Sequence, residues 1–382
     1  MTWSPAVAET LSFSLWTPAQ TCTIDWTGFL HRSIQTSCCL DWQELVSNKT
    51  ILITGAAGSI GSDLADLMMG GHPGKLVLLD RSAHNLSLLY RNYRQRNITL
   101  PKVEFIHADI LEEEALEETF SNHSPDIVFH TAALKHIHQL ESEPFGALET
   151  NLMGTLRLLQ MVDCAQVEHF VNLSTDKAVN PTSVLGVSKR ISELLLLSVD
   201  AAQNHRVSLR LGNVLGTSGS VVPIFIHALQ THSPLLLTAP QASRFFITRE
   251  EAVTFLVRSL EIPENSLLLA EMGRPQKIMD LADFLLREFA LDGGGAICVT
   301  GLRDGEKLSE QLLYDYEHLE HTQVQRLFRI VNDNVLDRDR FAEDLGHLLE
   351  LVVARKKCGL IQALSNIVPE FEPSQTLLHC IG

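Results

Sequence analysis

The sequence predicts an α/β fold, a doubly wound parallel sheet with a smaller lobe toward the C-terminus. Two observations carry this. Short apolar runs alternate with stretches of ten or more residues in which apolar positions recur every three or four. Buried strands joined by crossover helices leave that signature. Between the first run and the first helical stretch stands a glycine triplet spaced G-x-x-G-x-x-G.

Residues 1–46 show weak periodicity and form an extension without an assigned role. From Lys49 the pattern sharpens, with strand-like runs at 50–53, 75–79, 103–106, 127–129, 170–173 and 207–210. The acidic stretch 111–118 reads as a solvated first helical turn, favoured by the helix dipole. Residues 47–330 are expected to hold the nucleotide-binding sheet and the lobe, the lobe mainly at 214–330. There Pro223, Pro234, Pro240 and Pro275 punctuate shorter elements. Residues 331–382 form a helical tail, with helices at 340–353 and 359–367. The binding cleft is expected between the lobes, at the carboxyl ends of the strands.

Composition narrows the function classes. The chain has 382 residues, 45% hydrophobic and 20% charged, which excludes a disordered or fibrous protein. A net charge of −16 argues against nucleic-acid partners, which demand cationic surface. The seven cysteines include no C-x-x-C pair, so neither a disulfide framework nor a zinc site is indicated. His136 and His138 lack further ligands, and no metal is expected. No apolar run reaches the ~18 residues of a membrane span, and no Lys or Arg precedes Arg32. These features predict a soluble, cytoplasmic protein without a secretory signal.

The glycine loop runs Thr54-Gly55-Ala56-Ala57-Gly58-Ser59-Ile60-Gly61. Gly55 permits the tight turn, Gly58 lets backbone amides approach a pyrophosphate, and Gly61 allows close packing of the helix. Ser59 and Ile60 open that helix. Asp80 ends the second run and would accept hydrogen bonds from an adenosine ribose. A 2′-phosphate beside it would be repelled by roughly 4 kcal/mol at about 4 Å in an effective dielectric near 20. NAD is therefore expected rather than NADP, although Arg81 follows directly. Asp109 and Ile110 would meet the adenine.

With the loop, the stretches His130-Thr131-Ala132-Ala133-Leu134-Lys135-His136 and Ser174-Thr175-Asp176-Lys177-Ala178-Val179-Asn180-Pro181 resemble an extended short-chain dehydrogenase. Further matching stretches are Arg210-Leu211-Gly212-Asn213-Val214-Leu215-Gly216, Gly301-Leu302-Arg303-Asp304-Gly305-Glu306-Lys307-Leu308 and Val368-Pro369-Glu370-Phe371. Together they resemble the CapD-type polysaccharide-biosynthesis branch, nucleotide-sugar 4,6-dehydratases on an NAD(P)-binding Rossmann fold. The resemblance covers about residues 45–372. It implies oxidation at C4 of UDP-N-acetylglucosamine, loss of water across C5–C6, and return of hydride to C6.

By resemblance, Thr175 contacts the C4 oxygen, Asp176 is the acid at the C6 hydroxyl, and Lys177 is the base at C5. Lys177 would need a depressed pKa for that work. Lys189 would hold the nicotinamide ribose, and Ala132 would line the cofactor site. Lys135, Asn180, Asn213 and Arg244 would contact substrate, while Arg303 and Glu306 would grip the nucleoside diphosphate. The family tyrosine is replaced by Leu185, so a nucleotide-sugar 4-epimerase and a non-catalytic NAD- or sugar-nucleotide-binding protein stay open. The leucine-rich helix after Ser188 suggests a homo-oligomer packed through that helix.

Overall fold

The computed structural model describes residues 24–34, 42–95, 103–199, 204–289 and 296–381. Nine strands form one sheet: β1 (Thr50–Thr54), β2 (Lys75–Asp80), β3 (Val103–His107), β4 (Ile127–His130), β5 (His169–Thr175), β6 (His205–Leu211), β7 (Ser266–Ala270), β8 (Glu317–His321) and β9 (Leu327–Asn332). Their order is β8-β9-β7-β6-β5-β4-β1-β2-β3, with β7 through β3 parallel and β8 and β9 antiparallel at one edge. The six early strands fall where the apolar runs predict them.

β7, β8 and β9 lie within the range expected for the lobe, yet they complete the central sheet. Lobe and sheet are therefore interleaved along the chain after residue 214. β7 is a short apolar run, β8 is mainly polar and β9 is interrupted by Arg329, so none gave enough period to be assigned to the main sheet.

The strands are apolar on both faces because helices cover both. Ile51, Ile53, Leu78 and Phe129 face helices α1 (Ser59–Met69) and α6 (Arg249–Arg258). Leu52, Val77, Val128 and Phe170 face α4 (Gly154–Cys164) and α5 (Val184–Ser198). The remaining crossovers α2 (Ala83–Gln95) and α3 (Glu113–His123) flank β3, and α3 begins with Glu113 and Glu114 as the acidic run predicts.

From β1 the chain runs outward to β2 and β3, then returns to place β4 on the other side of β1. That reversal opens a crevice at the carboxyl ends of β1 and β4, where ligands of such sheets bind.

The C-terminal tail is part of the domain. Phe341, Leu345, Leu348 and Leu351 of α7 (Arg338–Val353) and Leu360 and Leu364 of α8 (Leu360–Ile367) join the core that also holds Leu194, Leu195 and Leu196. Every α5 residue from Val184 to Leu196 is buried within this one chain. Its leucine content is thus explained without a second copy, which removes the ground for an oligomer packed through α5.

The described part of the N-terminal extension is structural. Trp26, Phe29 and Leu30 insert into the lobe core, with Trp26 5.7 Å from Phe284 and Phe29 5.5 Å from Phe246, centroid to centroid. Arg32 forks onto the wholly buried Glu251 and donates to the Met272 carbonyl. Glu251 also closes a capping box with Thr248 at the start of α6. Removing Arg32 would leave the buried carboxylate with Arg326, 4.0 Å away, as its remaining cation, a loss of up to about 3 kcal/mol. Arg32→Ala should therefore lower stability by about that amount in urea denaturation, and Arg32→Lys by less, since one ammonium cannot replace the fork.

Candidate functional site

The crevice begins at the glycine loop. Gly55 has φ +70°, and a Cβ there would lie 2.6 Å from the Ala132 nitrogen. A Cβ on Gly61 would stand 2.2 Å from the Gly55 carbonyl oxygen, so only glycine lets α1 pack this close. Gly58 differs: it is the N-cap of α1 with no side chain over the helix end. A Cβ there meets only the Gly55 oxygen at 3.1 Å. The first amides of α1, at Ser59 and Ile60, thus face a space free of side chain, a cradle for an anion.

Beyond the loop lies a cleft of about 320 Å³ lined by Gly55, Gly58, Asp80, Asp109, Ile110 and Ala132. Each Asp80 carboxylate oxygen takes one backbone amide, Ala57 at 3.0 Å and Ser82 at 2.8 Å, which fixes the carboxylate at the cleft wall. Each oxygen keeps acceptor capacity for a hydroxyl. Asp109 accepts from the Leu111 amide, and its other oxygen stands 3.8 Å from the exposed Arg81. The expected cofactor residues are thus brought together. A dinucleotide fits this donor and acceptor set.

Lys189 of α5 is buried, and that burial pulls its pKa down to about 8. His130 at the end of β4 lies between Thr54 Oγ1 (2.8 Å) and Thr155 Oγ1 (3.0 Å). Burial, then the Lys189 charge, lowers it to about 3, so the imidazole is neutral. Leu185, one turn before Lys189, is also buried. Asn151, within a π-helical turn, exchanges two hydrogen bonds with the Leu134 backbone and so fixes the strand exit that carries Lys135. Solvent reaches Lys135, yet surrounding protein and then Arg249 draw it to about 8.

Thr175 ends β5 and caps a single 3₁₀ turn, Asp176–Ala178, which carries Asp176 and Lys177. Asp176 is wholly buried. Its Oδ1 accepts from Thr175 Oγ1 at 3.0 Å and from Lys177 Nζ at 2.9 Å, while Oδ2 has no hydrogen-bond partner. Lys177 also donates to Asn213 Oδ1 at 2.9 Å and stands 3.7 Å from Glu310. Burial alone would lower the Lys177 pKa, but Asp176 and Glu310 outweigh it and the ammonium is held above its ordinary value. The expected depressed lysine is therefore corrected: in this arrangement Lys177 is an ion-pair partner. Burial raises the Asp176 carboxyl against the opposing pull of Lys177, with Glu310 adding to the rise.

The substrate residues divide. Arg303 is exposed and Glu306 half-exposed, and no ion pair joins them to each other or to another described residue. Their loop is clamped instead through neighbours: Thr182 Oγ1 donates to the Gly305 carbonyl, and Asp304 accepts from the Thr376 amide. Arg244 is buried and spent on the Ser243 and Leu308 carbonyls, 3.9 Å from Glu310. It is an internal cation rather than an open phosphate contact. Asn180, at φ +42°, ties its amide to Gln311, and Asn213 serves Lys177.

Comparison with known proteins follows from this geometry. Residues 51–332 match the family described as polysaccharide biosynthesis protein. The chain belongs to that family. It is 34% identical over 312 residues to the capsular polysaccharide biosynthesis protein CapD of Staphylococcus aureus, covering 78% of this chain and 51% of CapD. It thus spans about half the length of that relative. It is 26% identical over 325 residues to a UDP-glucose 4-epimerase of Rickettsia bellii, covering 82% and 90% of the two chains. The structure of the dTDP-glucose 4,6-dehydratase DesIV of Streptomyces venezuelae, solved with NAD, matches with TM-score 0.60 at 22% identity, over 69% of this chain and 88% of DesIV. At that identity the likeness shows the fold.

Within this family member, four charged residues of the site were not singled out from sequence. Arg249 forks onto Asp63 at 2.5 Å and reaches the Ser59 carbonyl at 3.2 Å, bracing the start of α1. Glu310 and Lys307 sit at or just past the end of the Gly301–Leu308 stretch. Glu141 bridges the Val184 amide and the Ser374 hydroxyl, joining α5 to the tail. A capping-box pattern at Thr248–Glu251 was the one available signal for Arg249.

The loop geometry makes a sharp prediction. Gly61→Ala should destabilise by about 3 kcal/mol through overpacking, whereas Gly58→Ala should cost less than about 1 kcal/mol. Equal losses in urea denaturation would contradict the packing described here.

Proposed function

We propose that this chain is an NAD-dependent nucleotide-sugar 4,6-dehydratase, with UDP-N-acetylglucosamine as substrate. The hydrogen-bonded Asp176–Lys177 pair, beside Thr175 on the sheet edge that carries the glycine loop, is the observation that supports this most. Elimination across C5–C6 needs a base at C5 and an acid at the C6 hydroxyl. One proton supplies both. Passing it along the 2.9 Å hydrogen bond from Lys177 Nζ to Asp176 Oδ1 turns the ion pair into a neutral amine and a neutral acid. The raised Asp176 pKa lowers the cost of that shift, and the raised Lys177 pKa adds to it.

The amine then takes the C5 proton while the acid protonates the departing C6 hydroxyl, which leaves as water. Lys177 later returns its proton to C5. The proton shed by the C4 hydroxyl replaces the one lost with water, so the cycle balances. NAD, held by the Ser59 and Ile60 amides, Asp80, Asp109, Ile110, Ala132 and Lys189, would supply the hydride acceptor and donor. Thr175 orients the C4 oxygen, and Arg303 and Glu306 are free to grip the UDP moiety from the loop opposite. Lys135 is placed to add a cation near the sugar.

A 4-epimerase would need hydride transfer at C4 but no acid–base pair after Thr175, so the Asp176–Lys177 pair would be idle. Buried Leu185 cannot take the C4 hydroxyl proton in either reaction. Product mass decides. Purified protein with NAD and UDP-N-acetylglucosamine should give a product lighter by one water, whereas an unchanged mass would indicate epimerisation or no reaction. NAD should bind at least ~10-fold more tightly than NADP by calorimetry, from the repulsion at Asp80. Gly58→Asp should stay folded, because aspartate is a good N-cap, yet lose at least ~100-fold in NAD affinity by placing charge against the pyrophosphate.

A further inference from the structure

We propose that Glu310 is a positioning residue of the reaction, acting through Lys177 to hold its ammonium opposite Asp176 and to stabilise the charge formed at C5 deprotonation. The functional half of this rests on the dehydratase reading above. Glu310 lies 133 positions beyond Lys177, yet its side chain is almost wholly buried and its Oε1 stands 3.7 Å from Lys177 Nζ. Its other neighbours are Lys307 at 3.6 Å and Arg244 at 3.9 Å. Oε2 has no hydrogen-bond partner among the described residues and faces Lys307 Nζ at 3.6 Å, so this carboxylate is held by charge rather than by hydrogen bonds.

Anchoring the loop does not explain Glu310. Five other ties already fasten residues 305–314 to the turn and sheet. Lys307 Nζ donates to the Val179 carbonyl (2.6 Å), Tyr314 Oη to the Ala178 carbonyl (2.7 Å) and Asn180 to Gln311 (2.7 Å). Thr182 bonds the Gly305 carbonyl (3.0 Å), and Arg210 the Leu312 carbonyl (2.7 Å). What Glu310 adds is charge.

The groups facing the pair are Asp176 and Lys177 on the β5 turn, Asn213 after β6, Arg244 on the lobe, and Lys307 and Glu310 on the loop. Arg244 and Lys307 are two cations that would repel a positively charged Lys177. Glu310 is the carboxylate that offsets them. When the neutral Lys177 amine takes the C5 proton, the new ammonium forms against Glu310. The same negative charge raises both the Asp176 carboxyl and the Lys177 ammonium, so it does not drive the proton from one to the other; its gain comes when Lys177 is recharged. Because the loop also carries Arg303 and Glu306, seating of the UDP moiety and placement of this carboxylate are two acts of one segment.

The test pairs a substrate-free readout with kinetics. Protein labelled at lysine Cε with ¹³C is titrated by NMR, the Lys177 signal being assigned by its loss in Lys177→Arg. Glu310→Gln should lower the Lys177 titration by at least about one pH unit, and Glu310→Asp should restore most of it. In turnover, Glu310→Gln should reduce kcat at least ~10-fold with KM for the UDP-sugar changed less than ~3-fold, since the grip residues are untouched. An unmoved Lys177 titration in a folded Glu310→Gln protein overturns the proposal, whatever happens to kcat. A shifted titration with unchanged kcat also overturns it. A shifted titration in a protein that removes no water upholds the placement of Glu310 and sinks the dehydratase reading instead.

Discussion

Arg210 is the constraint on which the working edge of this protein depends. It is wholly buried in β6, and its guanidinium bridges Glu193 of α5 (2.8 and 3.1 Å) and Glu317 at the start of β8 (2.8 Å). Arg190 reaches the same two glutamates and lies 4.5 Å over the Tyr314 ring, while Ser174 donates to Glu193. Two arginines thus neutralise two glutamates out of water, and the Glu193 carboxyl is held below its ordinary range despite its burial. Such a lattice is costly to assemble and more costly to break, because losing one member leaves an unpaired buried charge. It ties together β5 and β6, the helix that carries Lys189, and the far end of the loop that carries Glu310.

That rigidity is what the proposed chemistry requires. An acid and a base made from one shared proton work only if their oxygen and nitrogen stay within hydrogen-bond reach and away from water. The turn at 176–178 is short and leaves β5 directly, so its position follows the sheet. Lys135 and Lys189, both near pKa 8, have different settings: one is reached by solvent, the other is buried beside a neutral histidine. Neither shares a hydrogen bond with a carboxylate as Lys177 does.

The fold was legible because its early half obeys local rules. Parallel strands covered on both faces read as apolar runs, and the glycine loop marks the first crossover with its acidic partner Asp80. The residues that line the cleft beside that loop sit together for the same reason: they are consecutive, or follow a strand end by a fixed step. The later half was harder. β8 is a mostly polar edge strand, and β9 beside it has only Leu327 and Ile330 buried, both paired antiparallel, so neither carries a buried run. The docking of Trp26, Phe29 and Arg32 joins segments more than two hundred positions apart, which no local pattern encodes. The sign of the Lys177 shift was misjudged because two carboxylates oppose its burial: Asp176 bonds it at 2.9 Å, and Glu310 reaches it through the folded loop. Arg244 read as an open phosphate contact because sequence does not reveal that two carbonyls and Glu310 already claim it. The leucines of α5 suggested a partner subunit, but the helical segments at 137–164 and the sheet pack against α5 within the chain.

The central claim is that Lys177 exchanges a proton with C5 of the sugar. Turnover of UDP-N-acetylglucosamine in D₂O measures this directly, because an amine that has taken the C5 proton trades it with solvent before returning it. The account predicts a water-depleted product carrying one deuterium at C5, seen by NMR as loss of the C5 proton signal. A product that keeps its original hydrogen at C5 would contradict it.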